Sequence, residues 1–133
     1  MSYKKMLKYQ FNVSSIAGSM PGPLMCVYYS SKAYVLRLSE GIREELKKQK
    51  SKVQISVLQP GPVNTNFDNV ANVKFSLNSL TSEYVAKYTV KQLLKCKFVI
   101  VPGIHIKLLR FFAKITPNNI MTKLVYSSQE RKR

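Results

Sequence analysis

Asn12-Val13-Ser14-Ser15-Ile16-Ala17-Gly18, then the broken loop Ser19-Met20-Pro21-Gly22-Pro23, then Tyr28-Tyr29-Ser30-Ser31-Lys32 at the head of a long amphipathic run: these residues decide how the chain is read. Residues 10–14 alternate as a short strand, and Ser15 through Gly18 close its end. Pro21 and Pro23 lack an amide donor and Gly22 permits a tight turn, so no regular element crosses the loop. Tyr28 and Lys32 are four residues apart, which stacks them on one helical face roughly 6 Å apart along the axis. A cation beside a phenol favours the phenolate, which makes Tyr28 a candidate proton donor. The loop can fold Ser15 back over Tyr28, where its hydroxyl could hold the oxygen that Tyr28 protonates. Each feature alone has a plain structural explanation, since a Tyr/Lys pair recurs on many helices and a Ser-Ser pair at a strand end commonly makes a turn or cap. Their order and spacing together point to chemistry.

Working outward, a helix is expected from about Met25 to Lys48. Val27, Ser31, Val35, Leu38, Ile42 and Leu46 recur every three or four residues, a stripe read as the core face. Lys47, Lys48 and Lys50 crowd the helix end, where the dipole favours cations. Lys52–Leu58 is the clearest strand, β-branched and free of breakers, and Pro60-Gly61-Pro62 ends it. Strand, helix, strand is a βαβ unit, so the strands should be parallel and the crossover right-handed. Ligands of such sheets bind beyond the carboxyl ends of the strands. Ser15 and Pro60-Gly61 both lie at such ends and should face one crevice.

Residues 64–80 lack a strong period and read as a mobile loop with one short helix. Thr81-Ser82-Glu83 begins a helix to about Lys95, with Val85, Tyr88, Thr89, Gln92, Leu93 and Cys96 along one side. Phe98–Val101 is a third strand, closed by Pro102-Gly103. Ile104–Lys114 and Thr116–Tyr126 are amphipathic helices, Pro117 suiting a first turn, and Ser127–Arg133 is a polar, frayed tail. Apolar residues beside Lys and Arg in Ile104–Lys114 are also what a helix on a membrane surface shows. The preferred reading is a helix packed on the sheet edge or over a substrate pocket.

Composition bounds the classes. The 133 residues suggest one domain, and 45% hydrophobic content is enough for a core. No apolar run approaches the ~20 residues that span a bilayer, and no apolar segment follows the basic N-terminus as in a signal peptide. Cys26 and Cys96 lack metal-like spacing and fit reduced thiols in a cytoplasmic protein. With His105 the single histidine, no metal site is expected. The net charge of +16 admits nucleic acid, an anionic membrane surface or an anionic cofactor as partner. Scattered lysines and the lack of any nucleic-acid-reading motif argue against specific nucleic-acid binding.

The order Asn12, Ser14, Ser15, Gly18, then Tyr28 and Lys32, followed by Gln59-Pro60-Gly61-Pro62-Val63-Asn64-Thr65, resembles the short-chain dehydrogenase/reductase family from about Phe11 to at least Gly103. The resemblance implies an α/β chain, the C-terminal half of a Rossmann-like doubly wound parallel sheet with about three parallel strands and flanking helices. It implies hydride transfer between NAD or NADP and a carbonyl/alcohol pair. Tyr28 would be the general acid/base, Lys32 would tune Tyr28 and bind the nicotinamide ribose, and Ser15 would polarise the substrate oxygen. Pro60, Gly61, Val63 and Thr65 would contact the cofactor, while Asn12 would tie strands together. Tyr29 fits the family order less well than Tyr28. Residues 64–80 would be the substrate lid, and helix 25–48 would build a homo-oligomer. The apolar lid and the C-terminal helices, residues 104–133, hint at a small-molecule carbonyl or alcohol substrate that is lipid-like or steroid-like.

The family's Gly-rich phosphate turn, its Asn-Asn-Ala-Gly segment and a further catalytic Asn have no counterpart here, and Gly18 is the first glycine. Residues 1–133 therefore read as a single partial domain, the catalytic and substrate side without the dinucleotide-binding half. Such a sheet would leave an open edge and uncovered apolar surface. The alternatives are a non-catalytic basic α/β fragment binding a partner subunit, an anionic membrane surface or nucleic acid, and a scaffold that keeps the dimer helix and has lost catalysis. The isolated chain is expected neither to bind dinucleotide tightly nor to turn over. Equilibrium titration with NADPH checks this, and micromolar binding would contradict it.

Overall fold

Ile55, Ser56, Val57 and Leu58 are all buried, and the strand they form, β2 (Gln54–Leu58), is the centre of the sheet. A computed structural model of the chain describes residues 8–64 and 79–131. β1 (Tyr9–Val13) and β5 (Val99–Ile100) flank β2, both parallel to it, in the order β1-β2-β5. Val13 lies opposite Leu58, and Leu58 opposite Ile100, so the three carboxyl ends finish level. The expected parallel α/β sheet with flanking helices is what forms.

Helix α1 (Cys26–Lys48) connects β1 to β2 and packs on both. Its core face is not the expected stripe. Leu36 and Ser39 are buried, whereas Val27 is 85% and Leu38 45% exposed and Ser31 also faces solvent. The reason is close approach. The 3-10 turn Ile16–Ser19 after β1 presses against α1, and the hydroxyl of buried Ser14 donates to the Lys32 carbonyl at 2.7 Å. Small groups form this contact, and Val27 and Leu38 turn outward, while Val35, Ile42 and Leu46 of the expected stripe are half-buried. Asn12 Nδ2 donates to Ser39 Oγ at 2.9 Å, tying strand to helix rather than strand to strand as expected.

β3 (Val63–Asn64) and β4 (Leu80–Thr81) form a second, two-residue parallel ladder that the sequence did not reveal. The loop and short helix expected over residues 64–80 lie almost wholly outside the described residues. Thr81 caps α2 (Ser82–Leu94), its hydroxyl accepting from the Tyr84 amide at 3.2 Å. Val85 and Thr89 of α2 are buried, Val85 packing with Leu58 and Ile100. Cys96 lies beyond the helix, exposed and at φ 53°, not in line with one side of it as expected.

Helix α3 (Ile104–Ile115) buries Ile106 and Ala113, with Ile106 against Ile16 and Val101. Helix α4 (Asn118–Glu130) buries Met121, Val125 and Gln129, one face at four-residue spacing. It runs past Tyr126, where a frayed tail was expected, and Pro117 caps it from outside. The buried amide of Gln129 donates to the Tyr29 hydroxyl at 2.8 Å, and this tertiary bond holds the last turns in place. On the far side, β1 pairs only with β2 among the described residues. Tyr9, Phe11 and Val13, alternate residues on one face of β1, are 43%, 40% and 50% exposed.

Two substitutions test this packing. A Cβ on Gly18 would stand 2.7 Å from the Lys32 carbonyl oxygen, a backbone atom that cannot swing aside. Gly18→Ala should cost about 3 kcal/mol, read as a lower urea midpoint. The buried Thr89 hydroxyl has no hydrogen-bond partner among the described residues. Thr89→Val keeps the shape and should raise stability by about 1 kcal/mol, read as a higher Tm.

Candidate active site

A cavity of about 770 Å³ opens over the carboxyl ends of β1 and β2. Six of the residues singled out in the sequence line it: Ser15, Tyr28, Lys32, Pro60, Gly61 and Val63. Thr65 lies outside the described residues. Most of the remaining wall is apolar, with Met20, Leu109, Phe112, Met121, Leu124 and Val125 contributed by the 3-10 turn and the two C-terminal helices.

Ser15 is buried and extended, at φ −160° and ψ 163°, and its hydroxyl accepts from the Ala17 amide at 3.2 Å as the cap of the 3-10 turn. Its neighbours pin it to the end of β2. The Ser14 amide donates to the Leu58 carbonyl at 2.8 Å and the Ile16 amide to the Pro60 carbonyl at 2.9 Å. Ser15 is thus stitched to the Pro60-Gly61 turn by backbone bonds on both sides.

Tyr28 and Lys32 occupy the first two turns of α1, with Lys32 Nζ 5.6 Å from the centre of the Tyr28 ring. Tyr29 meets Tyr28 edge to face, ring centres 6.0 Å apart. Its own hydroxyl is engaged by Gln129. Burial pushes the Tyr29 phenol above its ordinary pKa, with the Gln129 bond working against that and Tyr28 adding to it. Gly22 packs against the Tyr29 ring with no room for a side chain, since a Cβ there would overlap the ring carbons. Tyr29 is a strut joining the loop, α1 and α4.

Gly61 has a packing reason of its own. A Cβ there would run into the side chain of Ile106, which is fully buried, so glycine lets α3 seat against the turn.

Gln59 was read only as part of a motif, yet it organises the site. Its side chain is fully buried, and Nε2 donates to the Ser15 carbonyl at 3.0 Å and to Ser19 Oγ at 2.9 Å. Its Oε1 accepts from Arg110 Nε at 2.7 Å. Burial lowers the Arg110 pKa from its ordinary value, with nearby Glu40 opposing and Arg37 adding to the shift. One amide therefore joins β2, the Ser15 turn and α3. The available signal was an amide placed directly after four buried strand residues, a position that requires internal partners. Gln59→Leu would strand the Ser15 carbonyl and the Arg110 guanidinium together. It should cost about 3 kcal/mol of stability by urea unfolding, while the exposed Gln10→Leu on β1 serves as the neutral control.

Comparison with known proteins agrees with this fold. The family model described as short chain dehydrogenase matches residues 11–75. Two oxidoreductases of uncharacterised activity from Schizosaccharomyces pombe are 39% identical over 56 residues, 42% of this chain and 23% of theirs. Among solved structures, a short chain dehydrogenase from Burkholderia cenocepacia in complex with NADP superposes with a TM-score of 0.71 at 20% identity, over 88% of this chain and 47% of that one. A short chain dehydrogenase/reductase from Burkholderia phymatum in complex with NAD gives 0.66 at 22% identity, over 78% and 46%. A 7β-hydroxysteroid dehydrogenase gives 0.70 at 21% identity, over 89% and 46%. The chain thus spans about half the length of these structures and about a quarter of the two curated relatives. Over residues 11–75 this chain is similar to the short-chain dehydrogenase family, and its parallel sheet has the fold of these solved structures.

Proposed function

We propose that this chain carries the catalytic side of an NAD- or NADP-dependent oxidoreductase that interconverts a carbonyl and an alcohol. The observation that carries the reading is the shared wall of one cavity: Ser15, Tyr28 and Lys32 beside Pro60-Gly61 at the level carboxyl ends of parallel strands. When bound, the dinucleotide supplies or accepts the hydride. Tyr28 gives a proton to the carbonyl oxygen, or takes it from the alcohol. Lys32 offers its ammonium to the nicotinamide ribose and to the Tyr28 oxygen. Ser15, its backbone fixed by Gln59 and by the Pro60 turn, holds the substrate oxygen.

The residues present fit the nicotinamide end of such a cofactor. A cavity with an amine, two hydroxyl groups and a Pro-Gly-Pro turn on its wall can take a polar ring and a sugar. The pyrophosphate end has no match, because glycines 18, 22, 41, 61 and 103 are too far apart to build a Gly-rich phosphate turn. In this reading residues 1–133 are one partial domain, and the dinucleotide's phosphates are held by a separate half that pairs with β1. The exposed Tyr9, Phe11 and Val13 support that pairing. By the same reading the chain alone does not turn over.

The cavity wall also speaks to the substrate. Leu109, Phe112, Met121, Leu124 and Val125 surround the space beyond the polar groups, and among the described residues no carboxylate lines it. We assign the substrate to bulky, uncharged apolar ketones or alcohols. The outer face of α1, with Val27, Tyr34 and Leu38 exposed at helical spacing, suits pairing with a second copy.

A chimera tests the catalytic assignment. The half of the Burkholderia cenocepacia dehydrogenase that this chain does not match is joined ahead of residues 8–133. NADPH oxidation is then followed with a bulky apolar ketone. Turnover is expected, and Tyr28→Phe should lower kcat at least about 100-fold. An active chimera indifferent to Tyr28→Phe would contradict the assignment. Light scattering tests the pairing: the chain is expected as a dimer that Tyr34→Glu converts to monomer.

A further inference from the structure

We propose that the outer face of α3 rests on an anionic lipid bilayer. Ile106 and Ala113 bury one side of α3 against the domain, with Leu109 half-buried beside them. A helix whose opposite side meets only water carries polar residues there. Here that side carries Ile104, Leu108, Phe111, Phe112 and Ile115, which are 70%, 53%, 58%, 54% and 59% exposed. At 3.6 residues per turn these five fall within an arc of about 100°, directly across from the buried face. The preferred sequence reading, a helix simply packed on the domain, explains the inner face and leaves this outer one without a reason.

Charge selects the partner. Lys107 and Lys114 fall on one flank of the apolar arc and both are exposed, with Lys107 also 5.2 Å from the Tyr88 ring. No Asp or Glu occurs between Glu83 and Glu130, while lysine recurs throughout that stretch. An apolar arc bordered by cations and free of acids matches a surface with acyl chains inside and phosphate at its boundary. A second copy docked through this face would set Lys107 and Lys114 near cations of its own kind, with no acid of α3 to offset them. With twelve residues α3 is too short to cross a bilayer, and no described helix is long and apolar enough to do so, so α3 lies in the plane of the interface. Phe112 and Leu124 are at once exposed and part of the cavity wall. The cavity therefore opens beside the proposed contact, where an apolar substrate dissolved in the bilayer can enter.

The test is co-sedimentation of the 133-residue chain with vesicles of phosphatidylcholine, with and without one quarter phosphatidylglycerol, at physiological salt. Binding to the anionic vesicles is expected. The triple variant Leu108→Ser, Phe111→Ser, Ile115→Ser keeps the net charge and should weaken that binding more than about tenfold. Val90→Ser with Leu94→Ser, exposed apolar residues on α2, should leave it unchanged. The chain has no tryptophan, so Phe111→Trp adds a single reporter that should shift to shorter wavelength on the vesicles and be quenched by brominated lipid. Three results would overturn the proposal: no binding by the parent chain, equal binding by the triple variant, or a reporter that stays in water. The first leaves a protein partner as the cover for α3, and the second means a purely electrostatic attraction. The reporter decides the matter should the triple variant fail to fold.

Discussion

The contact on which the rest of the structure depends is the seat of the 3-10 turn against α1. Gly18 lies against the Lys32 carbonyl with no space for a methyl group, and Ser14 donates to the same carbonyl at 2.7 Å. That one carbonyl belongs to a residue that lines the cavity. Positioning the turn therefore positions the first turns of α1, and with them Tyr28. From the other side, buried Gln59 holds the Ser15 carbonyl. The arrangement is held by short polar bonds between buried groups, which are costly to leave unpaired and so define one geometry. The three exposed ion pairs among the described residues, all within single helices, contribute little by comparison.

Much of this was legible in the chain. The strands either side of α1, their parallel pairing and the convergence of Ser15 with Pro60-Gly61 follow from breakers, β-branched runs and the βαβ rule. Periodicity alone failed where contact distance mattered. Val27 and Leu38 look like core residues by spacing, but the sheet side of α1 is set by the close approach of Ser14 and Gly18, so smaller groups face inward. Tertiary bonds also escape a local reading. Gln129 sits in a polar stretch with the composition of a tail, and a single bond to Tyr29 a hundred positions away makes it part of a helix. The two-residue ladder of β3 and β4 is too short to leave a pattern. Gln59 was visible as a residue but not as a hub, because its partners lie on three different elements.

The outer surface divides into three apolar areas with different characters. The β1 face is a strand edge that pairs on one side only among the described residues, suited to extending a sheet. The α1 face is a helical stripe with acids and bases nearby, suited to self-pairing. The α3 face is bordered by lysines without acids. Each follows from what surrounds it. The same helices that build the apolar wall of the cavity present that third face, so the reading of the substrate and the reading of the surface support one another.

The central claim is geometric: a hydroxyl, a phenol and an amine meet over the carboxyl end of a parallel sheet. A crystal structure of the chain measures it most directly. The account predicts Ser15, Tyr28 and Lys32 on the wall of one cavity beside Pro60, with the Gln59 amide on the Ser15 carbonyl. Tyr28 or Lys32 turned to a different side of the molecule from Ser15 would contradict it.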